Sequence, residues 1–333
     1  MKKTLLTLMF AIAATFAMAQ TKTYTDSLVV TINGQTTAPQ QTTINVEPAN
    51  DGTYTLSLLN FIMGSGEDAM PVGNIVVNGI NVETANGIAT FATEQTVPLT
   101  AGNLEGVSFW LADMLTEINI DLAGNMTEGS LYCTINIDLT GMMGQIIGVE
   151  FGKEIKATRS YEDKLVVTIN GMSTEQRTAI NVDEKVDGTY TLSLNNFMLA
   201  NGEGVMPVGN IVLNDITTEN VDGVHSFAAN QEIVITEGSV EADYWMASML
   251  GNVPVNLTGK MNEYKLYCNI DIDMTATLGQ VINVTFGQED LSGIVGIKTE
   301  NGADVIYDLT GRKVDAMTTA GIYIVNGKKV LVK

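Results

Sequence analysis

The chain holds a single histidine, His225, and two cysteines, Cys133 and Cys268, in 333 residues. A zinc site built from several His or Cys ligands is excluded by that count. A nucleophile–histidine pair is confined to the second half, and His225 reads there as a solvated strand residue. No C-x-x-C occurs, so a redox or thiolate-metal role has no motif behind it. Basic residues are also scarce: 17 Lys and Arg face 38 Asp and Glu, for a net charge of −21. From Tyr24 to Lys153 the only basic residue is Lys153 itself. Such a surface repels nucleic acid, which needs a basic patch, and disfavours anionic membranes. No Asp-x-Asp-x-Asp-Gly calcium loop is present, and Gly64-Ser65-Gly66 and Gly73-Asn74 lack the helix that a phosphate-binding loop requires. The expectation is therefore no metal, no cofactor and no enzyme activity. Paired carboxylates for glycoside hydrolysis stay open as the weakest reading, since Asp271 and Asp273 alternate with Ile270 and Ile272 and read as solvent-facing.

Long apolar runs are missing too, except for Leu5 to Phe16 at the N-terminus. Lys2 and Lys3 precede that run, and Ala17-Met18-Ala19 follows it. Basic, apolar and small-x-small zones in that order make a secretory signal, with cleavage expected after Ala19. The run is too short for a membrane span, and no other stretch reaches spanning length, so no transmembrane span is expected in the mature chain. The expected location is beyond the inner membrane: periplasm, outer surface or extracellular space.

What the sequence does have is repetition. DGTYTLSL stands at 51–58 and 187–194, LVVTING at 28–34 and 165–171, MPVGNIV at 70–76 and 206–212, and LYC at 131–133 and 266–268. The spacing drifts by single residues, which turns absorb at little cost in closure entropy. The expected units are a signal at 1–19, one domain at 24–153, a second at 161–288, and a C-terminal segment at 289–333. Residues 154–160 read as a short polar linker. Each copy, at roughly 130 residues, is long enough for its own core.

Within each copy the apolar residues alternate. Tyr190, Leu192 and Leu194 interleave with Thr191 and Ser193, which is a strand with one apolar face. Asp-Gly and Asn-Gly pairs between such stretches predict hairpins. Many short antiparallel strands with turn residues between them predict an all-β sandwich or up-and-down barrel. The best helical candidates are 107–115 and 243–250, where Trp110 and Met114, or Trp245 and Met249, stand four apart. Cys133 and Cys268 fall on the apolar face of equivalent strands and are expected as two buried free thiols.

Two resemblances rest on these residues. The LVVTING opening, the DGTYTLSL hairpin, MPVGNI, the Trp segment with its following Val253-Pro254-Val255, and the LYC strand together resemble the bacterial calycin-like, or lipocalin-like, β-barrel family. That resemblance implies two tandem antiparallel barrels of about eight strands each. The closing segment, with Tyr307-Asp308-Leu309, Gly311-Arg312, Gly321-Ile322-Tyr323 and Lys328 to Lys333, resembles the C-terminal sorting domain of type IX secretion substrates. It implies the export machinery as a partner.

A barrel of that size is either filled or holds one small ligand. Methionine suits an adaptable apolar pocket and equally an irregular solid core. The candidate lining residues are Trp110, Met114 and Met70 in the first copy, and Trp245, Met249 and Met206 in the second. The leading expectation is an exported non-enzymatic protein that binds a small apolar, lipid-like ligand. The alternative is a structural or adhesive cell-surface module with solid barrels.

Overall fold

A computed structural model describes residues 21–64, 69–200, 205–240, 242, 244–291, 306–308, 312–314, 317, 321–325 and 328–332. The expected signal segment and its Ala19 cleavage point lie outside the described residues. The first unit contains β1 (Lys22–Ile32), β2 (Gln35–Thr36), β3 (Gln40–Pro48), β4 (Tyr54–Met63), β5 (Met70–Ile80), β6 (Val82–Ala85), β7 (Ile88–Thr100), β8 (Glu117–Met126), β9 (Leu131–Leu139) and β10 (Gln145–Phe151). All pairings are antiparallel, in the order β1-β3-β4-β5-β7-β8-β9-β10, and β10 returns to β1 through Leu28–Phe151 to Ile32–Ile147. This is a closed eight-stranded barrel.

The second unit contains β11 (Ile155–Ile169), β12 (Met172–Lys185), β13 (Tyr190–Ala200), β14 (Val205–Ile216), β15 (Thr218–Val221), β16 (Val224–Val234), β17 (Asn252–Met261), β18 (Leu266–Met274) and β19 (Gln280–Phe286), with the same strand order. A small third sheet joins β20 (Ile306–Asp308), β21 (Lys313–Val314), β22 (Gly321–Val325) and β23 (Lys328–Val332) in the order β21-β20-β22-β23.

The repeated motifs have local causes. In DGTYTLSL the Asp51 carboxylate accepts the Thr53 amide at 3.0 Å and its hydroxyl at 2.7 Å, and Asp187 does the same for Thr189 at 2.9 and 2.7 Å. This Asx turn fixes the start of β4 and β13. Tight turns at Asn33-Gly34 and Asn170-Gly171 place both residues at positive φ, which the mirror-image hairpin turn demands. Along β9 the burial alternates, with Leu131, Cys133, Ile135, Ile137 and Leu139 inward.

MPVGNI closes each barrel. Between β5 and β7 only Asn74–Thr100 and Ile75–Leu99 pair, and between β14 and the segment after β16 a single bridge joins Asn210 to Thr236. Side chains complete the seam. Asn74 accepts the Asn60 amide at 2.8 Å and donates to the Ala101 carbonyl at 2.9 Å, and Asn210 repeats this with Asn196 and Glu237 at 2.8 and 2.7 Å. Gly73 and Gly209, at φ +127° and +134°, let the strands close, because a Cβ there would stand 2.3 Å from the carbonyl oxygen of Thr100 or Thr236.

Two expectations change. The Trp segments form only one turn each, a 3-10 turn at Leu111–Asp113 and an α turn at Ala247–Leu250. Each indole instead lies against a glycine: a Cβ at Gly102 would meet Trp110 at 2.4 Å, and one at Gly238 would meet Trp245 at 2.2 Å. Residues 155–160, read as a linker, are the first part of β11, paired with β12 from Ile155–Lys185 onward. Ile155 is buried, so its side chain holds the segment in the structure where a polar linker was expected.

Barrel interiors and the cleft between the barrels

Apolar side chains pack each barrel interior. Leu28, Ile44, Leu58 and Ile135, and their counterparts Leu165, Ile180, Leu194 and Ile270, are fully or almost fully buried. A gap of about 10 Å³ lies among Val46, Tyr54, Leu56, Ile80, Phe91 and Met126 of the first barrel, and another among Val182, Tyr190, Leu192, Ile216, Phe227 and Met261 of the second. Ten cubic ångströms is room for about one water.

The expected lining residues divide. Trp110 and Trp245 are buried, and Met70 and Met206 are half-buried and packed against the cores. Met114 and Met249 are 70% and 64% exposed and line no interior. The four-residue spacing assumed a helix long enough to put both side chains on one face. The single turn ends at or beside each methionine and releases it to solvent.

The sulfur and imidazole groups offer no reactive site. Cys133 and Cys268 are unpaired and fully buried, and burial pushes both thiols up to about 12. They are packing groups, as inert as buried thiols are expected to be. His225 sits on β16 with its ring nitrogens 3.0 Å from the Thr218 hydroxyl and from the Asn220 amide nitrogen, and its ring meets Tyr190 edge-on at 5.8 Å.

The unusual chemistry lies where the barrels meet. The buried polar residues found among the described residues are Lys22, Asn125, Thr127, Ser130, Asp183, Lys185, Thr191 and Ser193, and of these Asn125, Thr127, Ser130, Asp183 and Ser193 make contacts across this junction. The loop between β8 and β9 of the first barrel presses on the outer face of β12 and β13. Thr127 and Ser130 each donate a hydroxyl hydrogen bond of 2.7 Å to the same oxygen of Asp183. The Asn125 carboxamide donates to the Ile155 carbonyl at 3.1 Å and accepts its amide at 3.2 Å. Lys153 bridges Asp187 and Asp215, both at 2.7 Å, and Lys22 pairs with Glu128. Burial lowers Lys185, although Asp183, Asp26, Asp215 and Asp187 pull the other way. Burial raises Asp26, against the amide of Ser27 and the charges of Lys185 and Lys153.

Beside this junction opens a cleft of about 530 Å³. Its walls come from both barrels: Thr23, Thr25, Asp26, Gln41, Glu128 and Ser130 on one side, and Asn195, Asn214, Asp215, Gln231, Glu232 and Asn252 on the other. Lys, Arg and His are absent from its lining. Carboxylates, amides and hydroxyls of this kind can hold a polar ligand by hydrogen bonds. No group of three or more His, Cys, Asp or Glu converges as a metal site among the described residues.

Sequence reasoning missed this region because alternation assigns Thr191, Ser193 and Asp183 to the outside, and outside was equated with water. One signal was legible: the first copy has Thr127-Glu128-Gly129-Ser130 where the second has Asn262-Glu263-Tyr264-Lys265, a change from small to bulky.

Comparison with known proteins agrees with this architecture. The family model described as "Calycin-like beta-barrel domain" matches residues 21–153 and 158–289. No curated protein matches significantly. Among solved structures, a Bacteroides fragilis protein provisionally assigned to the outer membrane is 14% identical over 81% of this chain and 97% of its own, with a TM-score of 0.31. A protein of unknown function from Nostoc punctiforme, of the DUF3598 family, is 10% identical over 80% of this chain and 95% of its own, with a TM-score of 0.18. Those scores are too low to carry an argument. The family match spans both barrels and most of the chain: this protein belongs to the calycin-like β-barrel domain family and carries the domain twice.

Proposed function

We propose that this chain is an exported, non-enzymatic interaction protein of the cell surface, with two filled barrels serving as rigid scaffolds. The observation that supports this reading is the near-complete burial of the inward side chains, with gaps of about 10 Å³ among them, against the roughly 300–1,000 Å³ typical of small-ligand pockets. The buried thiols and the lone, hydrogen-bonded histidine supply no nucleophile or base for catalysis. Export rests on the signal-like N-terminus and the sorting-like C-terminal segment. No helix among the described residues is long and apolar enough to cross a membrane.

Native mass spectrometry of protein purified from its own host tests the filled-barrel reading. The expected mass is that of the mature polypeptide alone. An apolar molecule that co-purifies and is displaced by apolar competitors would overturn it in favour of a lipid-binding protein. Protease shaving of intact cells tests the address: release of the barrels from whole cells is expected, and full protection would reject a surface location.

A further inference from the structure

We propose that docking of the two barrels seals ordered water against the outer face of the second barrel, held by Lys185, Asp183 and Ser193. This site is separate from the open cleft and from both barrel interiors, and it stands whether or not the barrels carry a ligand.

The strands bring the three groups together. Asp183 and Lys185 are two residues apart on β12, so their side chains leave the same face. The register pairs Asp183 with Thr191 and Asn181 with Ser193, which sets Ser193 diagonally across from Asp183 on that face. Polar residues on the outside of a barrel normally meet bulk solvent. Docking removes these from it: Asp183 and Ser193 are 0% exposed and Lys185 is 2% exposed. Lys185 Nζ, one oxygen of Asp183 and Ser193 Oγ are buried with no hydrogen-bond partner among the described residues. Burial lowers Lys185, and Asp183 leads the four carboxylates that pull the other way, yet none of them pairs with the ammonium directly.

The covering barrel does not supply the partners. Thr127 and Ser130 commit their hydroxyls to the other oxygen of Asp183, at 2.7 Å each. The amides of Gly129 and Ser130 both donate to the Thr127 hydroxyl, at 3.3 and 3.0 Å. Gly129 lies directly over Ser193 and has no side chain to offer.

The chemistry of the three atoms selects the occupant. A cation would face the Lys185 ammonium, and an anion would face the Asp183 carboxylate. A neutral molecule that both donates and accepts fits the set. Water accepts from Lys185 Nζ and donates to Asp183 and Ser193, and about three partners is usual for a buried water. Immobilising it costs less than leaving a buried ammonium and carboxylate stripped of hydrogen bonds.

A crystal structure of the full mature chain at near-atomic resolution tests the proposal. A solvent peak is expected at about 2.6–3.2 Å from at least two of the three atoms. Ser193→Ala tests it independently, through the sign of its effect. A hydroxyl that holds water is missed when removed, so Tm should fall by about 2–4 °C. A hydroxyl buried without any partner is a burden, and its removal would leave Tm unchanged or raise it. Ser226→Ala, at an exposed position of the same barrel, should leave Tm unchanged. Lys185 Nζ bonded directly to a carboxylate, no solvent peak among the three groups, a Tm for Ser193→Ala at or above that of the parent, or an equal fall for Ser226→Ala would each overturn the proposal.

Discussion

Gly129 is small for a reason that lies in the other barrel. A Cβ at this position would stand 2.2 Å from Ser193 Oγ and 2.7 Å from its Cβ, both fixed in β13. The matching residue of the second copy, Tyr264, is 66% exposed and meets no such constraint. Gly129→Ala should therefore cost about 1–3 kcal/mol, the usual cost of overpacking a tight site. Tyr264→Ala should change stability by less than about 0.5 kcal/mol. Urea unfolding midpoints of the two variants check the contrast. The cysteines give a second prediction at this scale. With both thiols pushed up to about 12 by burial, neither Cys133 nor Cys268 should react with a thiol reagent in the native protein. Both should react once the protein is denatured, and a missing sulfhydryl there would contradict the two free thiols.

Among the strands, the weakest line in each barrel is the seam that MPVGNI closes. The first barrel has two residue pairs there and the second a single bridge, with backbone bonds of 2.8 and 3.4 Å between Asn210 and Thr236. Asn210→Ala removes an acceptor from the Asn196 amide and a donor from the Glu237 carbonyl, and the seam has little backbone pairing to compensate. A loss of about 1–3 kcal/mol is expected, from partly buried groups left unsatisfied. Asn74→Ala should cost less, because Ile75–Leu99 still pairs. Hydrogen exchange in β14 and β16 reads the opening directly. Much of this level was legible in the sequence. Period-two alternation gave the strands, Asn-Gly and Asp-Gly gave the turns, and the copied motifs gave two domains. The closure was not legible, because it depends on which glycine meets which carbonyl across the chain. The Trp segments misled because a four-residue spacing is satisfied by one turn as well as by a helix, and Met114 and Met249 were misplaced with them.

At the scale of the whole molecule, the two barrels touch through polar groups, and that face is invisible to hydrophobic patterning. Acid should act on it in two steps of opposite sign. Burial raises Asp26, so its charged form costs stability near neutrality, and that cost is relieved as pH falls through its raised value. Burial alone would raise Asp187 also, but hydrogen bonds from Lys153 and Thr189 outweigh it and hold the carboxyl down at about 2. Its contribution is fully present above the ordinary value of 3.8 and is lost as pH falls through about 2. Asp187→Asn should flatten the stability profile between pH 4 and 2, modestly, because the side chain is partly solvent-exposed. Differential scanning calorimetry across that range detects it.

Asp183 is the decisive residue of the junction. It is fully buried, and it takes hydroxyl hydrogen bonds from Thr127 and Ser130 of the other barrel. Asp183→Ala leaves both donors facing a void and leaves the Lys185 ammonium with one carboxylate fewer, so a loss of about 3–5 kcal/mol is expected. Each barrel keeps its own apolar core, and those cores share no member. The loss should therefore fall on docking and spare folding. Small-angle scattering should report a larger radius of gyration for the variant, with an unchanged β-rich circular dichroism spectrum. Collapse of the β signal together with the expansion would mean that the second barrel needs the first in order to fold, and that the polar junction is part of one cooperative core.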